Sequence, residues 1–387
     1  MLQFSPPFFL DKGHLLNPVV GPEAIAGSSR MKGGTATKMI LESIFIVAHQ
    51  LALGESAAIP CEQVMGAYKM VFDSTYSQQR DIVPLVELSG ASLSQDASVI
   101  YLGWNSLGIM SMIDAAECVP TFGASREDVR CFINGGYETM RNKEGDLSSQ
   151  EGASEISFDY FRKEKCFTLS EKDTVIFIAD SLTTNDMVVF SEMAALVKAQ
   201  RSKIALIGIS TDDDSNRQFV EMQKILGNPA SVHITMPISK LRQHCLDSLE
   251  LQKFLEKCLA EVSLKWVINA VSTGAHVRIG KVLKNYMIDL RLTNRKLFDR
   301  AVSIVSLFGK TSSAQARNYL LKSIYRTDTL HPAVLQADIS QHIWQAGLID
   351  KVIPLALLLT KDRFTLGSGL EMLQACPIVR QCIVELG

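Results

Sequence analysis

A chain of 387 residues, 47% apolar and 21% charged, is long enough for two domains with buried cores. Its formal net charge of −2 gives no electrostatic case for nucleic acid as the main partner, and no apolar run is long enough to span a bilayer. Eight cysteines without a CxxC pair or a zinc-like cluster with histidine predict reduced, mostly buried thiols of an intracellular protein, with no metal site and no cofactor.

Residues 1–10 are apolar, contain Pro6 and Pro7 and lack the basic start of a secretory signal, so an unstructured leader is expected. Residues 15–26, broken by Pro18 and Pro22, read as an extended segment feeding the stretch around which the chain is organised. That stretch is Gly27-Ser28-Ser29-Arg30-Met31-Lys32-Gly33-Gly34-Thr35-Ala36-Thr37-Lys38. It runs into Met39, Ile40, Ile44 and Val47, the spacing of an amphipathic helix over 35–53. A serine at the entry can cap this helix, and its free N–H groups and positive dipole end favour an anion. Arg30 and Lys32 suit a phosphate. The same pattern also fits a surface loop with two solvated cations.

Residues 57–88 predict one or two further helices with Met65, Tyr68, Met70 and Phe72 as core positions, and the Ser- and Gly-containing 85–95 predict a boundary. The rhythm then changes. Short apolar runs at 98–103, 173–179, 203–209 and 232–236 read as buried parallel strands. A turn at 104–108 and helices over 109–118 and 187–200 alternate with them, the pattern of a sheet covered on both faces. In such sheets the loops after the strands form the ligand crevice. The polar 141–164 reads as a surface excursion without chemistry, and Asp212-Asp213-Asp214 as a solvated turn. From residue 246 onward the pattern is helical: a long helix over 247–275, one or two over 280–308, and short helices over 312–387. Of the last, 352–360 is the most apolar, with Pro354 acceptable near a helix start. One internal echo is present: Lys38-Met39-Ile40-Leu41 aligns with Lys265-Trp266-Val267-Ile268 at an offset of 227 (265 − 38), which also places Ala48-His49 over Ala275-His276.

Three segments carry a resemblance: 27–38; 99–123 with Asp114-Ala115-Ala116-Glu117-Cys118 and Pro120-Thr121-Phe122-Gly123; and 280–297, beginning Gly280-Lys281-Val282-Leu283-Lys284-Asn285-Tyr286 and ending Thr293-Asn294-Arg295-Lys296-Leu297. Together they resemble the glucokinase regulatory protein family, tandem sugar-isomerase (SIS) domain relatives of the N-acetylmuramic acid 6-phosphate etherases. In the etherases the first and last signatures are nearly adjacent, whereas here an α/β unit separates them, as in the regulatory family.

The resemblance implies an α/β fold, an SIS-type parallel sheet flanked by helices, plus an all-helical C-terminal cap. It implies a remnant of a first SIS domain (1–54), a helical connector (55–90), a second SIS domain (91–279) and the cap (280–387). It further implies a non-catalytic regulator of nucleus and cytoplasm that binds and inhibits glucokinase. Fructose 6-phosphate would favour that complex and fructose 1-phosphate oppose it. By motif, Ser29 and Arg30 would face the sugar phosphate, Glu117 a sugar hydroxyl, and Lys281 the phosphate or its neighbour. Against these stand structural roles: a surface cation for Arg30, a structural pairing for Glu117, a helix-end residue for Lys281.

Two departures from the family matter. The family's first SIS opening is not in this sequence, so a truncated form is expected, with Ile40, Ile44 and Val47 left uncovered and the chain prone to associate. Gly103-Trp104-Asn105-Ser106-Leu107-Gly108 and Asp186 also stand where a ligand-binding copy would carry small hydroxyl-rich turns, so the second unit is expected to be a scaffold without its own ligand. The alternatives are an etherase-like lyase and a ligand-free SIS scaffold module.

Overall fold

The computed structural model describes residues 16, 18, 20–52, 61–140, 153–237, 249–361, 363–376 and 378–384. Three helices come first, α1 (Lys32–Ala52), α2 (Cys61–Ser77) and α3 (Gln79–Leu93). The α/β unit follows as β1 (Val99–Gly103), α4 (Asn105–Phe122), β2 (Val129–Ile133), α5 (Phe158–Lys163), β3 (Thr174–Ala179), α6 (Thr184–Ala199), β4 (Lys203–Ser210), α7 (Asp213–Leu226), β5 (Ala230–Thr235) and the long α8 (Leu249–Arg278). The five strands are all parallel, in the order β2-β1-β3-β4-β5.

The three central strands, β1, β3 and β4, are largely apolar on both faces because both are covered. In register, Leu102, Phe177 and Leu206 lie side by side and pack with Phe161, Phe190, Met193, Phe219 and Met222 of α5, α6 and α7. One residue back, Tyr101, Ile176 and Ala205 face the other layer with Leu85, Leu107, Leu259 and Val267 of α3, α4 and α8. The chain switches faces between β1 and β3, where open α/β sheets hold ligands. That crevice is filled here. Trp104 is fully buried against Phe158, Phe177 and Phe190, with ring centroids 4.8, 6.4 and 5.4 Å away. Asn105 donates to Asp180 at 3.2 Å and Asn134 donates to Asp186 at 2.8 Å. Gly103 and Gly108 touch, a Cβ on Gly103 falling 2.4 Å from Gly108 Cα, so the turn closes tightly.

Several local expectations change. Residues 104–108 are the start of α4, not a separate turn. Residues 85–95 do not break the helix, since α3 continues to Leu93, with Gly90 where Arg278 of α8 approaches and Ser92 bonded to Thr174 of β3. Residues 158–163 are a helix anchored by the buried Phe158 and Phe161, capped by Ser157, rather than part of an excursion; 141–152 lie outside the described residues. Asp212 caps α7 by accepting from Ser215 N at 2.8 Å, which explains the aspartate run. Residues 280–308 hold a short hairpin, β6 (Val282–Leu283) and β7 (Tyr286–Met287), and then one helix, α9 (Arg295–Gly309).

The C-terminal region is helical: α10 (Ser313–Tyr325), α11 (Pro332–Gln336), α12 (Ile339–Ala346), α13 (Val352–Leu359), α14 (Leu366–Ala375) and α15 (Val379–Val384). All eight residues of α13 are buried, so this run is the centre of the cap.

The sequence echo has a geometric counterpart. Lys38 pairs with Glu42 one turn on and with Glu261 at 2.5 Å. At the offset of 227, Lys265 bonds Asn269 one turn on at 2.8 Å and passes Gly34, the position equivalent to Glu261. Residue i of α1 thus contacts j of α8 while the counterpart of i contacts the counterpart of j, the reciprocal pattern of a two-fold axis. On α8, Ile268, Val271, Ala275 and His276 are buried. Their counterparts Leu41, Ile44, Ala48 and His49 are exposed, while Ile40 and Val47 are half-buried.

Candidate functional site

The motif segment is a strap between the α/β unit and the cap. Ile25 is buried, Ala26 N donates to Asn285 O at 2.7 Å beside β7, and Gly27 turns the chain with φ of +80°. Ser28 and Ser29 follow, and Arg30 then enters the core. Its Nη2 donates to Asp114 Oδ1 at 2.9 Å and Ser272 Oγ at 2.5 Å, and its Nη1 approaches Cys118 Sγ at 3.7 Å. Asp114 also accepts from Asn269 at 2.6 Å, Ser272 at 3.1 Å and the Tyr101 hydroxyl at 3.2 Å. Lys265 donates to the Arg30 carbonyl. Arg30 is therefore a buried anchor that ties the strap to α4 and α8, not a solvated surface cation.

The titrations follow from this burial. Burial works against the Arg30 charge, but Asp114, Cys118 and Glu117 together outweigh it and hold the guanidinium above its ordinary range. Burial pushes the Cys118 thiol up to about 12 and raises the Tyr101 hydroxyl, so both stay protonated. Burial also raises Glu117, against the opposing charge of Arg30.

The helix entry differs from the expected serine cap. Glu23 reaches forward, its Oε2 accepting from Lys32 N at 2.9 Å and its Oε1 from Gly33 N at 2.7 Å. Gly34 N and Thr35 N donate to Ser29 O and Met31 O. The first turn of α1 thus has its own carboxylate in the place where an external anion was expected.

Beside the strap lies a cavity of about 390 Å³, within the range of small-ligand sites. Ser28, Ser29, Arg30 and Gly34 line one part, Glu117 of α4 another, and Lys296 and Arg300 of α9 the cap side. Ser29, Arg30 and Glu117 are thus brought together. Lys281 is not among the lining residues: its ammonium pairs with Asp289, which burial raises and Lys281 holds down. The cap-side cations Lys296 and Arg300 were missed as site residues, although 293–297 belong to a motif the sequence singled out. Lys296 lies within that motif and Arg300 three residues beyond it, and that placement is the signal that could have found them. Among the described residues no cluster of three histidine, cysteine or acidic side chains could hold a metal, and no helix is long and apolar enough to cross a membrane.

Residues 76–279 match the family model for the second SIS domain of glucokinase regulatory protein, and 284–383 match that for its C-terminal lid domain. The chain is 35% identical over 373 residues to the glucokinase regulatory protein of Xenopus laevis and 34% identical over 377 residues to that of Homo sapiens. Each alignment covers 96% of this chain and 58% of the relative, so the chain spans little more than half the length of these proteins. It is also 32% identical over 233 residues to the N-acetylmuramic acid 6-phosphate etherase of Oceanobacillus iheyensis, covering 60% of this chain and 69% of that enzyme.

Proposed function

The chain belongs to the glucokinase regulatory protein family, and from that premise we propose that it is a non-catalytic regulator that binds and inhibits glucokinase. Fructose 6-phosphate strengthens the complex and fructose 1-phosphate weakens it, in nucleus and cytoplasm. The observation that carries this reading is the cavity beside the strap, where two serines, three cations and one carboxylate converge. Hydroxyls and cations suit a phosphoryl group, and Glu117 suits a sugar hydroxyl that must donate.

The strap gives such a ligand a way to act at a distance. It is hydrogen-bonded to the cap at Asn285 and anchored in the α/β core at Asp114. A ligand touching strap, α4 and α9 together favours the arrangement in which all three are close. Two esters that differ in phosphate position can favour different arrangements, and each shifts partner affinity by its differential binding to the two.

The test is inhibition of glucokinase at subsaturating glucose by the full 387-residue chain, with fructose 6-phosphate, fructose 1-phosphate or neither. Inhibition deepened by the first ester and relieved by the second is expected. No inhibition by a large excess of chain refutes the reading, and release of lactate from N-acetylmuramic acid 6-phosphate would favour a lyase instead.

A further inference from the structure

Two thiols meet where the last two helices of the cap join. Cys376 closes α14, leaving the helix in an extended conformation, and Cys382 stands in α15. Cys376 Sγ approaches Ile378 O at 3.4 Å, and Cys382 Sγ approaches the same carbonyl at 3.7 Å and Cys376 O at 3.6 Å. Both sulfurs therefore turn into one small space, in a satellite cluster with Leu355, Leu358 and Leu373. A thiol is a weak donor, so these contacts hold neither sulfur strongly. Burial first, and then a hydrogen bond and charge from the Cys376 thiol, push the Cys382 thiol up to about 12. Lys351, which donates to Leu373 O at 2.8 Å, opposes that rise with its charge.

The two thiols differ in access. Cys382 is fully buried, whereas Cys376 is half-exposed. One sulfur is open to a reagent and the other waits behind it, the arrangement of an attacking and a resolving cysteine.

The turn between them grips the hairpin that carries the strap. Arg380 N donates to Gly280 O at 3.0 Å. Gly280 has φ of +77°, and a Cβ there would fall 2.5 Å from Ile378 Cγ2 and 3.0 Å from Arg380 N. From Gly280 the chain enters β6 and β7, and Asn285 O between them accepts from Ala26 N of the strap.

We propose that Cys376 and Cys382 are a reversible dithiol–disulfide site, and that its oxidation locks the α14–α15 turn onto the β6–β7 hairpin. The site lies apart from the cavity beside the strap and does not depend on the function proposed for it. The oxidant is a peroxide or a small-molecule disulfide. With hydrogen peroxide, the Cys376 thiolate attacks one oxygen, the O–O bond breaks and the leaving oxygen departs as water, giving a sulfenic acid. Cys382 sulfur then gives up its proton, attacks Cys376 Sγ and expels the second oxygen as water. With glutathione disulfide, Cys376 first forms a mixed disulfide and releases one glutathione, and Cys382 then displaces the other. Either way the pair loses two electrons and two protons.

The test equilibrates the full chain in graded ratios of reduced to oxidised glutathione, then blocks free thiols and maps the peptides by mass. A link between Cys376 and Cys382, reversed by dithiothreitol, is expected. Because Cys382 is fully buried, Cys376→Ser carries the comparison: it should leave Cys382 reduced at every ratio. Cys382→Ala should instead hold Cys376 as a mixed disulfide with glutathione. Hydrogen exchange reads the lock, and amides of 280–287 and 379–384 should exchange about tenfold more slowly in the oxidised chain. The same treatment should leave exchange in Cys376→Ser unchanged. If Cys376 of wild type stops at the mixed disulfide, or both thiols stay free at the most oxidising ratio, the inference is overturned. A linked pair without slower exchange upholds the site and sinks the lock.

Discussion

Replacing Arg30 by leucine is the sharpest test of how the motif works. The side chain is 4% exposed and that of Asp114 1%, and the two meet at 2.9 Å. Removing one member of a buried ion pair leaves the other charge uncompensated, which typically costs about 3–5 kcal/mol. Asp114 keeps three donors from Asn269, Ser272 and Tyr101, so the lower end of that range is expected. The Lys265 bond is to the backbone carbonyl of residue 30, so it remains available in Arg30→Leu and does not add to the cost. Urea unfolding is the assay, with the fully buried Trp104 and the half-buried Trp266 as fluorescence probes of the α/β unit.

A second variant makes the reasoning refutable. Asp114→Asn removes the charge that Arg30 answers, so Arg30→Leu with Asp114→Asn should cost less than the two single changes summed, by about 1–3 kcal/mol of coupling. If Arg30→Leu costs under about 1 kcal/mol, the guanidinium is a surface cation in solution and the buried anchor is wrong. If the two changes simply add, the pair is not the unit that holds the strap.

Two further predictions follow from other residues. Glu23→Ala should cost about 1 kcal/mol by freeing the Lys32 and Gly33 amides, and sulfate should then raise its melting temperature more than that of wild type; equal sulfate effects would count against Glu23 as the resident anion. His276 is fully buried, stacked on Phe122 at 4.3 Å and bonded to the Ser272 carbonyl, and burial pushes its pKa from 6.5 down to about 3. The folded state binds its proton less readily than the unfolded one, so this stability is complete above about pH 6.5 and is lost as pH falls toward 3. At pH 5 the loss is about 2 kcal/mol, and His276→Asn should flatten that part of the stability curve relative to wild type; parallel curves would refute it.

The parts of this fold that were legible are those whose cause is local. Strands β1, β3 and β4 are largely apolar runs because both faces of the sheet are covered there, and α13 is apolar throughout because it is buried on every side. Strand β2 escaped notice because Arg130 breaks its run, and at the sheet's edge that side chain lies outward over Phe132. The site was legible in pieces. Ser29 and Glu117 line the cavity, but the inward turn of Arg30 depends on Asp114, 84 positions away, and the capping of α1 depends on Glu23 at a separation no capping rule covers. Arg300 follows closely on a motif the sequence singled out, but its seat in the cavity was not legible for a related reason. What distinguishes it is the missing side chain of Gly27, and no spacing along the chain reveals that the two meet.

Helix α1 shows how the same geometry explains a feature that looks misplaced. A surface helix normally buries apolar residues and exposes polar ones, yet α1 buries Glu42, Ser43 and Gln50 and exposes Leu41, Ile44, Phe45 and Leu51. The reciprocal contacts with α8 account for both sides. Toward α8 lies the pseudo-axis, where Lys38, Glu42 and Glu261 meet just as Lys265 and Asn269 do on the other side, so polar pairing is what each helix offers the other. Away from the axis, α8 buries Ile268, Val271 and His276 against the helices of its own unit, with His276 flat on Phe122 of α4. The counterparts Leu41, Ile44 and His49 therefore carry the pattern of a helix that faces the layers of an α/β unit. The outer face of α1 is thus shaped by its two-fold relation to α8, which places Leu41, Ile44 and His49 at the positions where α8 carries its buried side chains.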